Sequence, residues 1–318
     1  MKSHTVSLST LLALILFSGS VGAAQSEPKA GLPNVDDPTA LRNRAESGNP
    51  EAAYQLGLRY LTGRGVSQDF NAAATWFKFA AEHGSADGQF GLGFLYEQGE
   101  GVARDRRQAM VYYSAAARQG QSIAQNNLGS MYERGEGVKR DLSAAVRWYR
   151  AAAVQGNVTA QCNLASLYFR GAGTALDYSQ AATWFRAAAE RGFAPGQENL
   201  AFLYYKGRGV PLDYSEAAKW SRQAAQQGFA RAQLDLAYLY EHGKGVPLDY
   251  VSAYAWYKLA ADHGESRART QLKSLSAVMT REQIRHAITA AQQLHTPSSS
   301  ENQHSNSQVV GDAFIDSH

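Results

Sequence analysis

Several residue types in this chain could support chemistry, so their spacing is considered first. Gly-x-Gly occurs at Gly63/Gly65, Gly99/Gly101, Gly135/Gly137, Gly171/Gly173, Gly207/Gly209 and Gly243/Gly245. One such pair could open a phosphate-binding loop, but none is followed by the lysine and hydroxyl that cradle a phosphate. The eight histidines show no metal-ligand spacing. His83 and His263 share one position just before a glycine, where helix-end carbonyls account for an imidazole. Cys162 is the single cysteine, which excludes an intrachain disulfide and a multi-cysteine metal site. Its position is elsewhere held by Tyr54, Phe90, Asn126, Glu198 and Leu234, a variable site that suits packing better than a reactive thiol. No catalytic residue, metal or cofactor is expected.

The spacing itself is the stronger signal. The six glycine pairs are 36 residues apart without insertion, and four more columns keep step with them. Leucine recurs from Leu56 to Leu272, tyrosine from Tyr60 to Tyr240, and aspartate at Asp69, Asp105, Asp141, Asp177, Asp213 and Asp249. A ring recurs at Trp76, Tyr112, Trp148, Trp184, Trp220 and Trp256. A period of this length marks a stacked repeat.

Each cycle reads as two helices. Ala52, Leu56 and Tyr60 form one stripe of the first helix. Beside it, Gly57, Gly93 and Gly129, then Ala165, Ala201 and Ala237, leave room for a close neighbour. The first loop glycine ends that helix in the left-handed conformation. The aspartate column then caps the second helix, whose face carries Ala73, Trp76, Phe77, Ala80 and Ala81. Glycines at Gly84, Gly120, Gly156, Gly192, Gly228 and Gly264 end it. Neither helix is long enough to stand alone, so stacking of neighbours must bury both faces.

The ends break the pattern. Residues 1–24 read as a cleaved secretory signal: Lys2, a short apolar run through Leu11–Phe17, and small residues that place cleavage near Ala23 or Ala24. Export to the periplasm or beyond is therefore expected, with no stable membrane insertion after cleavage. Residues 25–36 read as a flexible leader and 37–47 as an N-terminal capping helix. Six repeats fill 48–264. In 265–295, Lys273 replaces the small residue and Ser276 the tyrosine, Thr280-x-x-Gln283 forms a capping box, and Ile284, Ala287, Ile288, Ala291 and Leu294 stripe a final helix. Residues 296–318, rich in Ser, Asn and Gln, read as a disordered tail. The net charge of +3 is too small and too dispersed for a nucleic-acid partner.

The third copy shows the consensus plainly, from Ala124 through Leu128-Gly129, Tyr132, Gly135-Glu136-Gly137-Val138, Asp141, Ala145, Trp148-Tyr149 and Ala152-Ala153 to Gly156. This pattern resembles the Sel-one-like repeat, a relative of the tetratricopeptide repeat. The departures are few: Tyr112 stands for tryptophan and Thr174 for valine. The resemblance implies an all-α, right-handed superhelical α-solenoid of antiparallel helix pairs, with terminal capping helices, and a protein-binding role. Some relatives are linked to β-lactam binding, which directs attention to Ser-x-x-Lys. The match Ser26-Glu27-Pro28-Lys29 falls in the leader, where Pro28 disfavours the helical turn such a site needs.

A binding row can be read beside the leucine–tyrosine stripe. Following Gln55 in steps of 36 gives Gly91, Asn127, Asn163, Asn199, Asp235 and Gln271; following Thr62 gives Gln98, Arg134, Arg170, Lys206 and His242, so the middle of the array carries an amide row beside a basic one. Amides suit a peptide backbone and guanidiniums suit carboxylates. These residues are expected to line a concave groove for an acidic or C-terminal peptide, resembling the carboxylate clamp of some tetratricopeptide domains. The competing reading is a solvated face with internal hydrogen bonds. The chain is thus expected to be a monomeric, non-catalytic envelope or secreted scaffold for a protein or extended peptide. An envelope enzyme or β-lactam-binding protein, and a polysaccharide- or peptidoglycan-associated structural protein, are the alternatives.

Overall fold

The structure is a computed structural model and describes residues 37–294; the signal, leader and tail segments read above lie outside them. Among the described residues there are helices and no strand. Helix α1 (Pro38–Glu46) precedes six pairs: α2 (Pro50–Thr62) with α3 (Phe70–Glu82), α4 (Ala86–Gln98) with α5 (Arg106–Arg118), α6 (Ser122–Arg134) with α7 (Leu142–Val154), α8 (Val158–Arg170) with α9 (Tyr178–Glu190), α10 (Ala194–Lys206) with α11 (Tyr214–Gln226), and α12 (Ala230–His242) with α13 (Tyr250–Asp262). Helices α14 (Ser266–Ser276) and α15 (Arg281–Leu294) close the series. The result is an all-α solenoid arrangement. The chain divides into two compact units at Asn157/Val158. The first holds copies one to three and the second copies four to six.

Local chemistry fixes the helix ends. Each aspartate of the acid column occupies the N-cap of a second helix and accepts backbone N–H groups, as Asp69 does from Asn71 and Ala72. Such a cap contributes about 1 kcal/mol. The first loop glycine ends the first helix at positive φ, from 60° at Gly243 to 79° at Gly99.

The second loop glycine has another duty. A Cβ on Gly101 would lie 2.1 Å from Phe70 O, and one on Gly137 would lie 2.6 Å from Arg106 O. In the second unit, Gly209 and Gly245 meet the backbone of Tyr178 and Tyr214 at 2.1 Å in the same way. Each of these loops therefore rests on the start of the preceding copy's second helix. Helix α1 stands in for that helix at the N-terminal end. Gly65 faces Pro38, and Arg42 Nη2 donates to the Tyr60 hydroxyl. Arg186 does the same to Tyr204 and Arg222 to Tyr240, each at 2.8 Å.

The small column beside the leucine stripe admits a ring. A Cβ on Gly57 would approach Phe77 to 2.6 Å, on Gly93 Tyr113 to 2.9 Å, and on Gly129 Tyr149 to 2.7 Å. The fully buried rings thus follow the tryptophan column by one residue. Phe77, Tyr113, Tyr149, Phe185 and Tyr257 are enclosed, whereas Trp76, Tyr112, Trp148 and Trp184 keep part of their surface. At the C-terminal end, Thr280 and Gln283 make the reciprocal bonds of a capping box. Helix α15 then packs on α13, two helices back.

Candidate functional site

The amide and basic rows are not uniform in their surroundings. In the first unit, Asn127 is half-buried; its Oδ1 accepts from Asn126 at 3.4 Å and its side chain faces the Tyr113 hydroxyl. Arg134 is exposed, with Nε 3.3 Å from Glu136. In the second unit, Asn163 is half-buried, but Asn199 and Asp235 are enclosed at 0% and 3% exposure. Asn199 donates to Pro195 O, one turn back in its own helix, at 2.8 Å. Helix α10 is buried on all sides from Ala194 to Leu203, which is why an amide there faces protein rather than solvent. Arg170 stays exposed and donates to Ser166 O, while Lys206 lies 5.4 Å from the centre of the Tyr205 ring. Only part of the row read from the sequence therefore has surface to offer.

Three sets of residues that the sequence reading passed over organise the copies instead. The first is a glutamine column at Gln89, Gln125, Gln161, Gln197 and Gln233, also 36 residues apart. Gln125, Gln197 and Gln233 donate to Ala117 O, Ala189 O and Ala225 O, carbonyls of the preceding second helix, at 3.0 to 3.2 Å. Their own oxygens accept from Gln155 and Gln227 or pair with His263 at 2.7 to 2.9 Å. The second set is a tyrosine–glutamate pair inside one copy. Tyr113, Tyr149 and Tyr257 donate to Glu97, Glu133 and Glu241 at 2.6 to 2.8 Å. Burial, then the facing carboxylate, raises each of these phenols.

The third set is the residue between the two loop glycines. Lys244 Nζ lies 5.1, 5.5 and 5.1 Å from the ring centres of Tyr205, Tyr214 and Tyr238 and donates to the Tyr205 hydroxyl at 3.0 Å. Arg208 sits 5.9, 5.5 and 5.9 Å from Phe169, Tyr178 and Phe202, the same three positions one copy earlier. In copies two and three, within the first unit, the tip residue is acidic. Glu136 lies 3.7 Å from Arg106, which occupies the column of Tyr178 and Tyr214. Glu100 has a buried Oε2 without a hydrogen-bond partner, and burial raises its carboxyl. Tip and receiving side chain thus match as a pair: rings for Arg208 and Lys244, a guanidinium for Glu136.

One buried charge stands apart. Glu198 is 3% exposed and its Oε1 lies 3.2 Å from Arg231 Nε, off the N–H direction, so the contact is ionic without an aligned hydrogen bond. Burial pushes its carboxyl up to about 8, with Asp235 and Glu265 adding to the rise and Arg231 opposing it. Cys162, in the same column, is fully buried and its thiol is pushed up by burial. That is the opposite of the thiolate character a nucleophile needs. His83 Nδ1 lies 2.8 Å from Phe79 O, a helix-end carbonyl. No cluster that could hold a metal ion occurs among the described residues, and none of their helices is long and apolar enough to cross a membrane.

The surface differs between the units along the loop edge. Charge gathers in the first: Arg104, Arg106, Arg107, Arg134, Lys139 and Arg140 lie on the adjoining loops of copies two and three or at the helix ends beside them and are exposed. The charge read from the sequence as dispersed is thus concentrated locally here, with Glu100, Asp105, Glu136 and Asp141 among the cations. In the second unit the corner positions hold Leu176, Leu212 and Leu248, each 56 to 59% exposed.

Two-helix units with glycine corners, capped by aspartate and joined in phase, define a tetratricopeptide-like solenoid. The Sel1 repeat profile matches residues 50–85, 86–121, 122–157, 158–193, 194–229 and 230–265, and the chain belongs to that family. Among solved structures, the chain is similar to a Sel1 repeat protein from Oxalobacter formigenes. The two are 30% identical with a TM-score of 0.65, over 79% of this chain and 99% of that one. It also matches c5321, a protective antigen present in uropathogenic Escherichia coli strains and displaying an SLR fold. That match is 28% identical with a TM-score of 0.45, over 81% of this chain and 78% of that one. Among curated proteins none matches. Sel1 repeat proteins are in general protein-interaction scaffolds, and the fold is one typically without enzymatic activity.

Proposed function

We propose that this protein is an exported scaffold that holds a protein partner without turning it over, acting in the periplasm or beyond once residues 1–24 are removed. One observation carries the reading. The polar residues that recur between copies are occupied by internal hydrogen bonds: aspartates with helix starts, glutamines with helix ends, and glutamates with buried tyrosines. What varies between copies is exposed side chains on a repeated frame, the arrangement by which repeat proteins recognise partners. Within the first unit, Asn127 and Arg134 remain candidates for contact; within the second, Asn163, Arg170 and Lys206 do. Asn199 and Asp235 would act only by shaping the helices that carry the others.

The test is crosslinking of the mature protein in its own cells, followed by mass spectrometry. Discrete protein adducts are expected, together with recovery outside the cytoplasm and no acylation by a reporter lactam. Adducts confined to cell-wall glycan, or a covalent lactam adduct, would overturn the reading.

A further inference from the structure

The adjoining loops of copies two and three, with the helix ends beside them, carry six cations, Arg104, Arg106, Arg107, Arg134, Lys139 and Arg140, against the carboxylates of Glu100, Asp105, Glu136 and Asp141. Burial raises the Glu100 carboxyl. The other three carboxylates are engaged. Asp105 and Asp141 accept backbone N–H groups at the starts of α5 and α7. Glu136 lies 3.3 Å from Arg134 and 3.7 Å from Arg106. Arg104, Arg107, Lys139 and Arg140 form no salt bridge among the described residues. A surface depression between the two loops is lined by Arg104, Asp105, Arg106, Arg107 and Gly137.

We infer that this face docks an acidic segment of a partner protein in extended conformation; the inference rests on the scaffold reading above and names where and what the scaffold holds. Arg104 and Arg140 each donate Nε to a carbonyl of the helix before them, Glu97 O and Glu133 O, at 2.9 Å. That bond orders the side chain while it stays exposed, so less entropy is lost when a guanidinium meets a carboxylate. The two arginines occupy equivalent places in neighbouring copies, whose elements abut at Gly137. An extended peptide in the polyproline II conformation turns once in three residues and advances about 3.1 Å per residue. Carboxylates three residues apart along it therefore share one side at about 9 Å, of the order of the separation of neighbouring packed helices. A double-stranded nucleic acid fits less well. Its charges are dense, about one per 1.7 Å of duplex axis, and would be set against Asp105, Glu136 and Asp141.

The probe is a fluorescein-labelled peptide with glutamate at every third position; the comparison peptide has glutamine in its place. Fluorescence anisotropy with the full mature chain is expected to show saturable binding of the glutamate peptide only, weakening as salt rises. Arg104→Gln/Arg140→Gln should weaken it by about tenfold or more. Since those two side chains also brace helix ends, Arg107→Gln/Lys139→Gln supplies the control: neither residue makes an ion pair, and the pair should weaken binding with an unchanged melting temperature. Equal binding of both peptides, wild-type affinity in both variants, or tighter binding of anionic vesicles or single-stranded DNA would overturn the proposal. Partner adducts formed equally by the variants in cells would remove this face and leave the scaffold standing. Absence of any adduct with wild type would remove the scaffold reading itself.

Discussion

At the corner that precedes the capping aspartate, the two units carry different side chains on one backbone. In the first, Gln68, Arg104 and Arg140 fold back to donate to Leu61 O, Glu97 O and Glu133 O at 2.8 to 2.9 Å. In the second, Leu176, Leu212 and Leu248 are exposed and bring no side-chain donor to that carbonyl. The last turn does not follow the corner. Gly63, Gly99 and Gly135 bond the carbonyl four residues back at 2.8 Å, and Gly207 and Gly243 reach the carbonyl four back beside leucine corners, Gly207 also approaching the one three back at 3.4 Å. The capping aspartate is in place in both units. A corner side chain is therefore not what holds the loop, and its identity is free to set the character of the surface: cationic in one unit, apolar in the other.

What the units share should be hardest to change. Gly137→Ala and Gly209→Ala would each drive a Cβ into backbone, 2.6 Å from Arg106 O and 2.1 Å from Tyr178 O, at positive φ. Each should lose at least about 3 kcal/mol from the unit that carries it. Gly228→Ala, equally left-handed but with nothing within 4 Å, should lose about 1 to 2 kcal/mol. Hydrogen exchange resolved by unit is the measurement, because two units need not unfold together. Equal losses at Gly209 and Gly228 would show that φ alone matters.

The buried carboxylate of the second unit should come next. Its folded pKa, raised to about 8, lies above the ordinary value of 4.5. The group thus favours the fold fully below about pH 4.5, and that contribution is lost as pH climbs through about 8. Glu198→Gln should flatten this decline and be the more stable protein above pH 8, by about 2 kcal/mol at most since Arg231 is left without its partner. Melting curves across pH would show it; a parallel pH dependence in the variant would mean that Glu198 is not the titrating group.

The tip residues should separate the units by a smaller margin. Lys244→Ala empties a three-ring enclosure and should lose about 1 to 2 kcal/mol. Glu136→Ala removes a partly exposed pair and should lose less than about 1 kcal/mol. Comparable losses in urea titrations would dissolve the distinction. The smallest effect belongs to the corners. Arg140→Leu and Leu248→Arg should each stay within about 0.5 kcal/mol, and a large loss in either would return the corner to a structural duty.

Much of this is legible in the sequence. The glycine, leucine and aspartate columns gave helix ends and phase, because a cap or a left-handed turn demands a residue type at one position. The capping box at Thr280 and Gln283 was legible for the same reason. The glutamine column was equally periodic but was passed over, since glutamine fits a solvated face as well as a helix-end staple. The enclosure of Asn199 was not legible. Its column runs from exposed Gln55 to enclosed Asn199, and burial there depends on how neighbouring helices close over α10. The aromatic enclosures need positions from three helices, and only contact in space joins Tyr205, Tyr214 and Tyr238.

The second loop glycine has one more consequence. It abuts Phe70, Arg106, Tyr178 and Tyr214 in turn, and in each case it meets main chain. The glutamine staples likewise reach for carbonyl oxygens. A joint that reads backbone accepts any predecessor, so a copied segment can be spliced after almost any other and still seat. The shared Leu-Asp-Tyr of copies four to six is what such copying leaves behind. Growth of the array is then cheap in mutational steps, and the tip residue, which does read side chains, is where a newly added copy must adapt to its neighbour.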